Sequence, residues 1–263
     1  MPIESATEQG GLRRLKLPGA ASRARKAEEA EARAIQARLL PGEIPQLEGF
    51  QIASAWRPST QVSGDYFDVF PLEGNRMALC IADVSGKGMA AVTLMTELHD
   101  AVRKFAPDAA SPSELCTQVN QALCRPGAQS RYVTMFYGEL ELGQLRLRYE
   151  SAGHCLPLLV HGDGTVDFLQ SFSGVIGIFS HWLYQNQEVQ LRSGDCLLLL
   201  TDGILQAEGR RHEEFGYQRL IAAVESGRPL GVEGLRQEIL TAVTKFCGDK
   251  LRDDASLIVV RAL

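Results

Sequence analysis

The stretch QVSGDYFDVFPLEGNRMALCIADVSGKG, residues 61–88, decides how the rest of this chain is interpreted. Within it, Asp65 and Asp83 each lie where a strand meets a glycine-containing turn. Such a position holds a carboxylate still and leaves it open to a ligand. The run from Arg76 to Ile81 is a compact apolar strand that leads directly into Asp83. This stretch therefore predicts a polar site at the end of a buried sheet.

Further aspartates with the same surroundings occur far downstream. Asp202 follows the apolar run CLLLL, and Asp253 with Asp254 precedes the run ASLIVV. Any one of these aspartates is explained as well by ordinary strand termination, since Asp and Gly are common turn residues. A converging set is different, because carboxylates repel one another unless protons or a divalent cation neutralise them. Oxygen ligands in that number suit Mg²⁺ or Mn²⁺.

The segment Gly162-Asp163-Gly164 provides a contrast. It joins two short apolar runs, LPLLVH and VDFLQ, and is typical of a plain hairpin connection. We expect no ligand there.

Bulk composition narrows the functional classes. The chain has 263 residues, 45% of them hydrophobic, and this size and composition favour one large domain. The net charge of −5 gives no reason to expect a nucleic-acid partner. A protein partner or a small ligand is the better expectation. The sequence contains no apolar run of about 20 residues and no secretion signal, so it predicts a cytoplasmic protein with no membrane partner. The six cysteines are expected to be buried and reduced.

The N-terminal part divides into two segments before the main domain. Residues 1–19 are predicted to be a flexible tail, and residues 20–42 a linker or regulatory helix whose helical part runs from Ala20 to Leu40 and stops at Pro41. The apolar side of that helix is mostly alanine. Two interpretations stay open: the helix lies on its own domain, or it is a regulatory or homodimer-forming lead-in. We also hypothesise that its packing positions the turn at Asp83 and Val84.

Residues 43–263 are predicted to form the main domain. Helices are expected at Met89–Phe105, from the capping pattern at Ser111 to about Cys124, and near residues 217–226 and 232–246. Phe50–Trp56 and most of residues 131–201 are expected to form strands that are antiparallel where their connections are short. The polar segment QAEGRRHEEFGYQ, which begins at Gln206, is predicted to be a surface loop over the site. Strands mixed with helical pairs indicate an α+β layered architecture.

Several motifs together resemble a known family. They recur in order at plausible spacings, which is far more specific than any one of them. The series is similar to that of the SpoIIE/RsbU-type serine/threonine phosphatases, the bacterial branch of the metal-dependent, protein phosphatase 2C-like superfamily. The motifs are VSGDYFD at 62–68, IADVSGKGMAA at 81–91, YVTMFYGEL at 132–140, SAGHCLPLL at 151–159, TDG at 201–203, EEFGYQRL at 213–220 and DDASLIVV at 253–260.

This resemblance implies a four-layer αββα sandwich of two antiparallel sheets flanked by helices, with two Mn²⁺ or Mg²⁺ ions at one end. Asp83 matches the carboxylate that bridges both metals, and Val84 would offer its backbone carbonyl. Asp65 matches a ligand of one ion, whereas Asp202 and Asp253 match ligands of the other. Asp83 and Asp65 would thereby position the water that bridges the metals.

Three further residues are implied only as neighbours of the ligands. Asp254 is expected to support the site rather than to bind metal. Ser85 replaces the histidine that eukaryotic relatives place two residues after the bridging aspartate, so water would protonate the leaving group. His154 is interpreted as a turn residue in preference to a catalytic base, because a metal-activated water already supplies the nucleophile.

The implied reaction is hydrolysis of phosphoserine or phosphothreonine on a regulatory protein of the anti-anti-sigma (STAS) type in a partner-switching pathway, by a water bridging two Mg²⁺ or Mn²⁺ ions. The alternative is a weakly active or inactive binding module that keeps the fold and sequesters a regulatory partner. The presence of all four aspartates favours the enzyme.

Overall fold

The computed structural model describes residues 20–59, 62–125, 131–170, 172–248 and 251–263. The predicted tail at residues 1–19 lies outside the described residues. Six α-helices occur in the described part: α1 Ala20–Leu39, α2 Met89–Phe105, α3 Pro112–Leu123, α4 Asp202–Leu205, α5 Gly216–Gly227 and α6 Gly231–Cys247.

The same part of the chain contains ten strands: β1 Phe50–Arg57, β2 Asp65–Leu72, β3 Arg76–Val84, β4 Val133–Glu141, β5 Arg146–Ala152, β6 Leu158–Val160, β7 Val166–Phe168, β8 Gln187–Gln190, β9 Cys196–Leu200 and β10 Ala255–Ala262. They form two five-stranded sheets, with the orders β1-β10-β9-β6-β7 and β2-β3-β4-β5-β8. All the pairings between these strands are antiparallel, as the short connections predict.

Side-chain alternation along the strands separates the sheets' two faces. In β9, Leu197 and Leu199 point into the core between the sheets, whereas Leu198 and Leu200 pack against α5 and α6. Strand β3 divides its residues in the same way between the inner core and helices α2 and α3. The result is the expected four-layer αββα sandwich.

Helix α1 lies on its own domain, as one of the two sequence interpretations predicts. Ala32 is fully buried in a small cluster with Val62 of the loop before β2 and Val92 of α2, and Ile35 packs against this cluster. The residues that face away from this cluster are exposed and include alanines as well as the charged Lys26 and Arg38. The apolar side of α1 is therefore already occupied within the chain.

Most predicted elements lie within a few residues of the observed ones, but three details differ. Strand β2 was not delimited by the pattern, because nearly all of it is buried on both faces and it shows no alternation. Asp202 does not end a strand but begins the short helix α4. The predicted capping box at Ser111 is only half formed: the Glu114 amide donates to Ser111 Oγ, while the Glu114 carboxylate accepts from the amide of Ala110.

Two smaller predictions are confirmed. Strands β6 and β7 form the hairpin around Gly162-Asp163-Gly164, and all six cysteines are free, although only Cys80, Cys116 and Cys196 among them are buried. Within the described residues, we find no helix with the length and apolar character needed to cross a bilayer.

Candidate active site

The strand alternation brings polar residues together at one end of the inner core. Asp65 continues the inward-facing series of Phe67 and Val69 in β2, and Asp83 continues that of Leu79 and Ile81 in β3. Asp65 and Asp83 are directly paired in the register of the two strands. The two aspartates that open the motif series therefore end side by side where the hydrophobic core stops.

Asp65 is held by hydroxyl groups from the other sheet. Its Oδ2 accepts hydrogen bonds of 2.7 Å from both Thr201 Oγ1 and Ser256 Oγ. The Asp65 backbone amide donates to Ser63 Oγ at 3.0 Å. Only 2% of Asp65 is exposed, and this burial, partly offset by the two hydroxyl donors, raises the pKa of the carboxyl well above its usual range. Among the described residues, no basic side chain contributes to this shift.

Asp83 and the Val84 carbonyl face a gap that exists because residue 64 is glycine. An ideal Cβ built on Gly64 would lie 2.8 Å from Asp83 Oδ1 and 3.1 Å from the Val84 carbonyl oxygen. A side chain at residue 64 would thus fill the space in front of both oxygens. Burial, followed by repulsion from Asp202, Asp253 and Asp254, raises the pKa of Asp83 to about 7.

Asp202 and Asp253 approach each other because two turns pack closely. A Cβ on Gly203 would lie only 1.9 Å from the Asp254 carbonyl oxygen, so only glycine allows the start of α4 to lie against the turn before β10. Burial and then the charge of Asp253 raise the pKa of Asp202. The carboxylates of Asp83, Asp202 and Asp253, near the ends of β3, β9 and β10, are thus close enough to interact electrostatically.

Asp254 is used to fix the loop in front of β2. Its Oδ1 accepts from the Ser59 amide at 2.6 Å and from Ser59 Oγ at 2.9 Å, while its Oδ2 accepts from the Gly64 amide at 2.8 Å. These contacts hold Gly64 in place against Asp83. The geometry agrees with the expectation that Asp254 supports the site.

Ser85 and His154 both have structural partners. The amide of Tyr132 donates to Ser85 Oγ at 2.8 Å, and the Ser85 amide donates to the Tyr132 carbonyl at 2.9 Å. His154 Nδ1 lies 2.9 Å from Thr134 Oγ1, and Nε2 is enclosed. Enclosure lowers the pKa of His154 to about 4, so the ring is neutral at physiological pH. These contacts favour the interpretation of His154 as an ordering residue.

A cavity of about 710 Å³ opens at this end of the sandwich. Its walls include Asp83, Val84, Asp253 and Asp254, together with Lys87 and Tyr132, whereas Asp65 lies buried next to Asp83 and Asp202 is not part of the wall. Among the residues that the structure describes, no three His, Cys, Asp or Glu side chains are already closed around one point as a metal site. The predicted residues share one region, but they form an open set of oxygen donors.

Helix α1 reaches this region through one buried side chain. Gln36 is fully buried, and its amide group makes two hydrogen bonds to the backbone of Ser63: Nε2 donates to the Ser63 carbonyl at 2.9 Å, and Oε1 accepts from the Ser63 amide at 3.0 Å. Ser63 Oγ in turn accepts a hydrogen bond from the Asp65 amide. Helix α1 is therefore linked to Asp65 through Gln36 and Ser63.

Sequence reasoning did not identify Thr201, Ser256 and Gln36 as parts of the site. Thr201 directly precedes the proposed ligand Asp202, and Ser256 is two residues after Asp254. The available signal was a polar residue that continues the inward-facing series of a strand. For Gln36 the signal was weaker, a single amide on the apolar side of an alanine-rich helix.

The comparisons with known proteins agree with this geometry. The family described as "Stage II sporulation protein E (SpoIIE)" matches residues 73–263. The chain belongs to this family. The SpoIIE-family domain is 29% identical over 231 residues to the phosphoserine phosphatase RsbU of Bacillus subtilis, covering 86% of this chain and 68% of RsbU.

Two further similarities concern length and fold. Protein IcfG of Synechocystis is 24% identical over 261 residues, and the match covers 88% of this chain but only 40% of IcfG. The structure of the SiaA-PP2C domain of Pseudomonas aeruginosa superposes with a TM-score of 0.78 at 20% identity, covering 92% of this chain and 98% of that one. The SpoIIE-family domain thus has the protein phosphatase 2C-like fold. Its relatives RsbU and RsbP of Bacillus subtilis are phosphoserine phosphatases.

Proposed function

We propose that this domain hydrolyses phosphoserine or phosphothreonine on a regulatory protein, with two Mn²⁺ or Mg²⁺ ions as cofactors. The observation that carries the proposal is the gap in front of Gly64, where the Asp83 carboxylate and the Val84 carbonyl face one space next to Asp253 and Asp254. Family membership and the similarity to RsbU support the same reaction.

The residues present fit divalent cations. Hard oxygen donors are what Mg²⁺ and Mn²⁺ prefer, and uncompensated carboxylates that raise one another's pKa gain most from a cation. The proposed ligands are Asp65, Asp83, the carbonyl of Val84, Asp202 and Asp253. When bound, the ions would lower the pKa of a water and neutralise the charge on the phosphoryl group.

The chain's own residues keep these donors in position. Thr201 and Ser256 fix one oxygen of Asp65, which leaves Oδ1 for another partner. Asp254 holds the loop that keeps the space beside Asp83 clear. Lys87 lies on the cavity wall, where its positive charge complements an incoming phosphoryl group. In this proposal Asp83 and Asp65 would hold the cations, and would thereby position the water that the cations activate.

The partner is proposed to be a phosphorylated regulatory protein, of the STAS type that the family resemblance implies. The similarity to RsbU supports a regulatory role. A homodimer through α1 would have to use the helix's exposed side, since Ala32, Ile35 and Gln36 pack on the domain.

Helix α1 is further proposed to act as the regulatory element. Gln36 holds both backbone polar groups of Ser63, and Ser63 precedes the glycine that faces Asp83. A shift of α1 would therefore alter the loop that shapes the site. This proposal specifies a contact for the earlier hypothesis that the helix positions Asp83 and Val84.

The function is tested by phosphate release from a phosphoserine protein and from para-nitrophenyl phosphate, with and without Mn²⁺. We expect Mn²⁺-dependent release that a chelator abolishes. Asp83→Asn is expected to lower kcat/KM by about 100-fold or more, because it removes a charged donor at the reacting centre.

Asp108→Asn is the matched control, since Asp108 is exposed in the turn after α2 and its substitution makes the same chemical change outside the site. It should leave the rate unchanged. Equal activity in Asp83→Asn, or release that is indifferent to a chelator, would contradict the two-metal assignment. Binding of a phosphorylated partner without any hydrolysis would instead support the alternative of a sequestering module.

A further inference from the structure

An exposed apolar surface lies beside the cavity. Of the eight large apolar side chains that are exposed in the described part of the chain, five belong to this one region, so the exposure is concentrated and not scattered. Phe172 is 91% exposed, Leu183 83% and Phe179 58%. Concentrated exposed apolar side chains mark interaction sites in soluble domains. We name these residues the apolar rim: Tyr132, Phe172, Phe179, Trp182 and Leu183.

The rim is built on a fixed backbone. Buried Asn120 of α3 donates to the Phe179 carbonyl and accepts from the Gly177 amide, both at 2.8 Å. Ile176 exchanges two backbone hydrogen bonds of 2.9 Å with Val133. These anchors fix residues 176–179, which lie shortly before Trp182 and Leu183 in the connection between β7 and β8. Ordered display lowers the conformational entropy that binding must overcome.

Two of the rim side chains contact each other, and two more are close to them in the sequence. The rings of Phe179 and Trp182 lie 6.1 Å apart, and Gly174 lies against the Trp182 ring, where a Cβ would come within 3.0 Å. Phe172 is two residues before Gly174, and Leu183 follows Trp182. Glycine at residue 174 thus allows the loop to fold under the indole and present it outward.

Tyr132 connects the rim to the catalytic end of the sandwich. A Cβ on Gly177 would lie 3.6 Å from Tyr132 Cα, which places the loop against this residue. Tyr132 also lines the cavity together with Asp83, and its backbone is hydrogen-bonded to Ser85. A protein that places a phosphorylated side chain in the cavity therefore extends over the rim.

From this continuity we infer that the apolar rim is the docking surface for the phosphoprotein substrate and binds an apolar segment that flanks the phosphorylated residue. The inference rests on the proposed function, since it assigns the substrate's surroundings at the same site. For the phosphoryl group, which every phosphoserine shares, the cavity offers Lys87 and the cations that its carboxylates would hold. Discrimination among phosphoproteins then comes from the apolar contacts beside it.

The test uses a set of short, fluorescein-labelled phosphoserine peptides in which one leucine is moved along an otherwise glycine- and serine-rich sequence. Hydrolysis with Mn²⁺ is measured for each peptide and for para-nitrophenyl phosphate. We expect one leucine position to raise kcat/KM about tenfold over the all-polar peptide, because a leucine is buried there.

The double variant Phe179→Ser with Leu183→Ser should remove this preference and leave the hydrolysis of para-nitrophenyl phosphate unchanged. Leu230→Ser is the matched control: Leu230 is 64% exposed, but it lies next to α6 on the outer side of the other sheet. The control should keep the wild-type preference.

Three results would overturn the inference. The first is a wild-type enzyme that does not distinguish the peptides, and the second is a preference that survives in the double variant. The third is a concentration-dependent dimer that the double variant abolishes, because a second copy would then occupy the rim. Fluorescence anisotropy separates this inference from the catalytic proposal. If nothing is hydrolysed but the leucine peptide binds to the wild-type protein and not to the double variant, the docking surface stands and the catalytic proposal fails.

Discussion

Two aspartates of strand β2, Asp65 and Asp68, lie three residues apart in different surroundings. Both are almost fully buried, with 2% and 1% exposure. Asp68 receives two hydrogen bonds from Arg103 of α2, at 2.6 and 2.8 Å, and a third from Tyr66 at 3.1 Å. The Asp65 carboxylate accepts from two hydroxyl groups, and among the described residues no basic side chain contributes to its electrostatics. The described part of the chain thus supplies a counter-charge at Asp68 but none at Asp65, which suits Asp65 to a cation from solution.

The cause of this difference is strand parity. Asp68 lies on the face of the sheet that packs against α2, where a long arginine can reach it. Asp65 lies on the opposite face, at the end of the core between the sheets. Its neighbours there include the hydroxyls of Thr201 and Ser256 and the carboxylates of Asp83 and Asp254. A buried carboxylate with its own arginine stabilises the fold, whereas a group of carboxylates without one is suited to bind a cation.

The largest predicted effect comes from exchanging each carboxylate for an amide. In Asp65→Asn, kcat/KM should fall by about 100-fold, because the amide removes a charged metal donor. The free energy of unfolding without metal should be unchanged or higher, since burial already disfavours the charged form of Asp65. Activity assays and urea titrations in chelator measure the two quantities.

In Asp68→Asn the two effects should be reversed. The free energy of unfolding should fall by about 2 kcal/mol, while kcat/KM changes little. This loss is smaller than the full cost of breaking a buried ion pair because Arg103 is 44% exposed. If Asp65→Asn loses stability and keeps its activity, Asp65 is a structural residue and the comparison between the two sites fails.

A smaller effect is expected at Gln36, which joins α1 to the site. Gln36→Ala leaves the buried amide and carbonyl of Ser63 without their partners, which loosens the loop before Asp65. The Mn²⁺ concentration that gives half-maximal activity should rise by a few-fold up to about tenfold, as for other residues that orient a metal ligand. Metal titration of the activity measures this change.

Gln237→Ala is the control for Gln36→Ala, because Gln237 is exposed on α6 and its substitution removes the same amide far from Ser63. Equal metal dependence in the two variants, together with unchanged activity and oligomeric state after removal of residues 1–40, would exclude α1 as a regulatory element.

How far the sequence predicts the molecule depends on the kind of contact. Helix α2 was predicted with its observed bounds because its apolar residues keep helical spacing. The αββα fold followed from the motif series and is confirmed. Strand β2 was difficult because DYFDVF is buried on both faces and contains two aspartates of opposite roles. Periodicity cannot distinguish these roles, since the answer depends on Arg103, thirty-five residues away from Asp68.

The candidate site shows the same limit. The positions of Asp65, Asp83, Asp202 and Asp253 were named from local patterns, and their roles as ligands stay predictions. The hydroxyls that hold Asp65 come from residues more than 130 positions downstream, so only the pairing of the strands brings them together. Gln36 is a similar case, because its partner Ser63 lies across the interface between α1 and the domain.

The smallest predicted effect concerns a third way of neutralising carboxylates. His161 at the β6–β7 turn lies between two of them, with Nε2 3.0 Å from Asp167 and Nδ1 3.2 Å from Asp195. These carboxylates, Asp167 first, raise the pKa of His161 above its usual value. The other charged groups at this turn are Asp163, which interacts with the His161 charge, and Arg228, which donates to the Gly162 carbonyl.

Because the folded protein raises the pKa of His161, protonated His161 stabilises the fold. This contribution is complete below the pKa of the unfolded state, about 6.5, and is lost as the pH rises through the folded value. Urea unfolding of the wild type and of His161→Gln should therefore differ more at pH 6 than at pH 9, by at most about 0.5 kcal/mol for a solvent-accessible pair. Asp167→Asn should reduce the same difference. A difference that is constant with pH, or larger at pH 9, would show that His161 does not act as a titratable counter-charge. Of the three ways of neutralising carboxylates, only the arginine at Asp68 and the cation proposed at Asp65 would then remain.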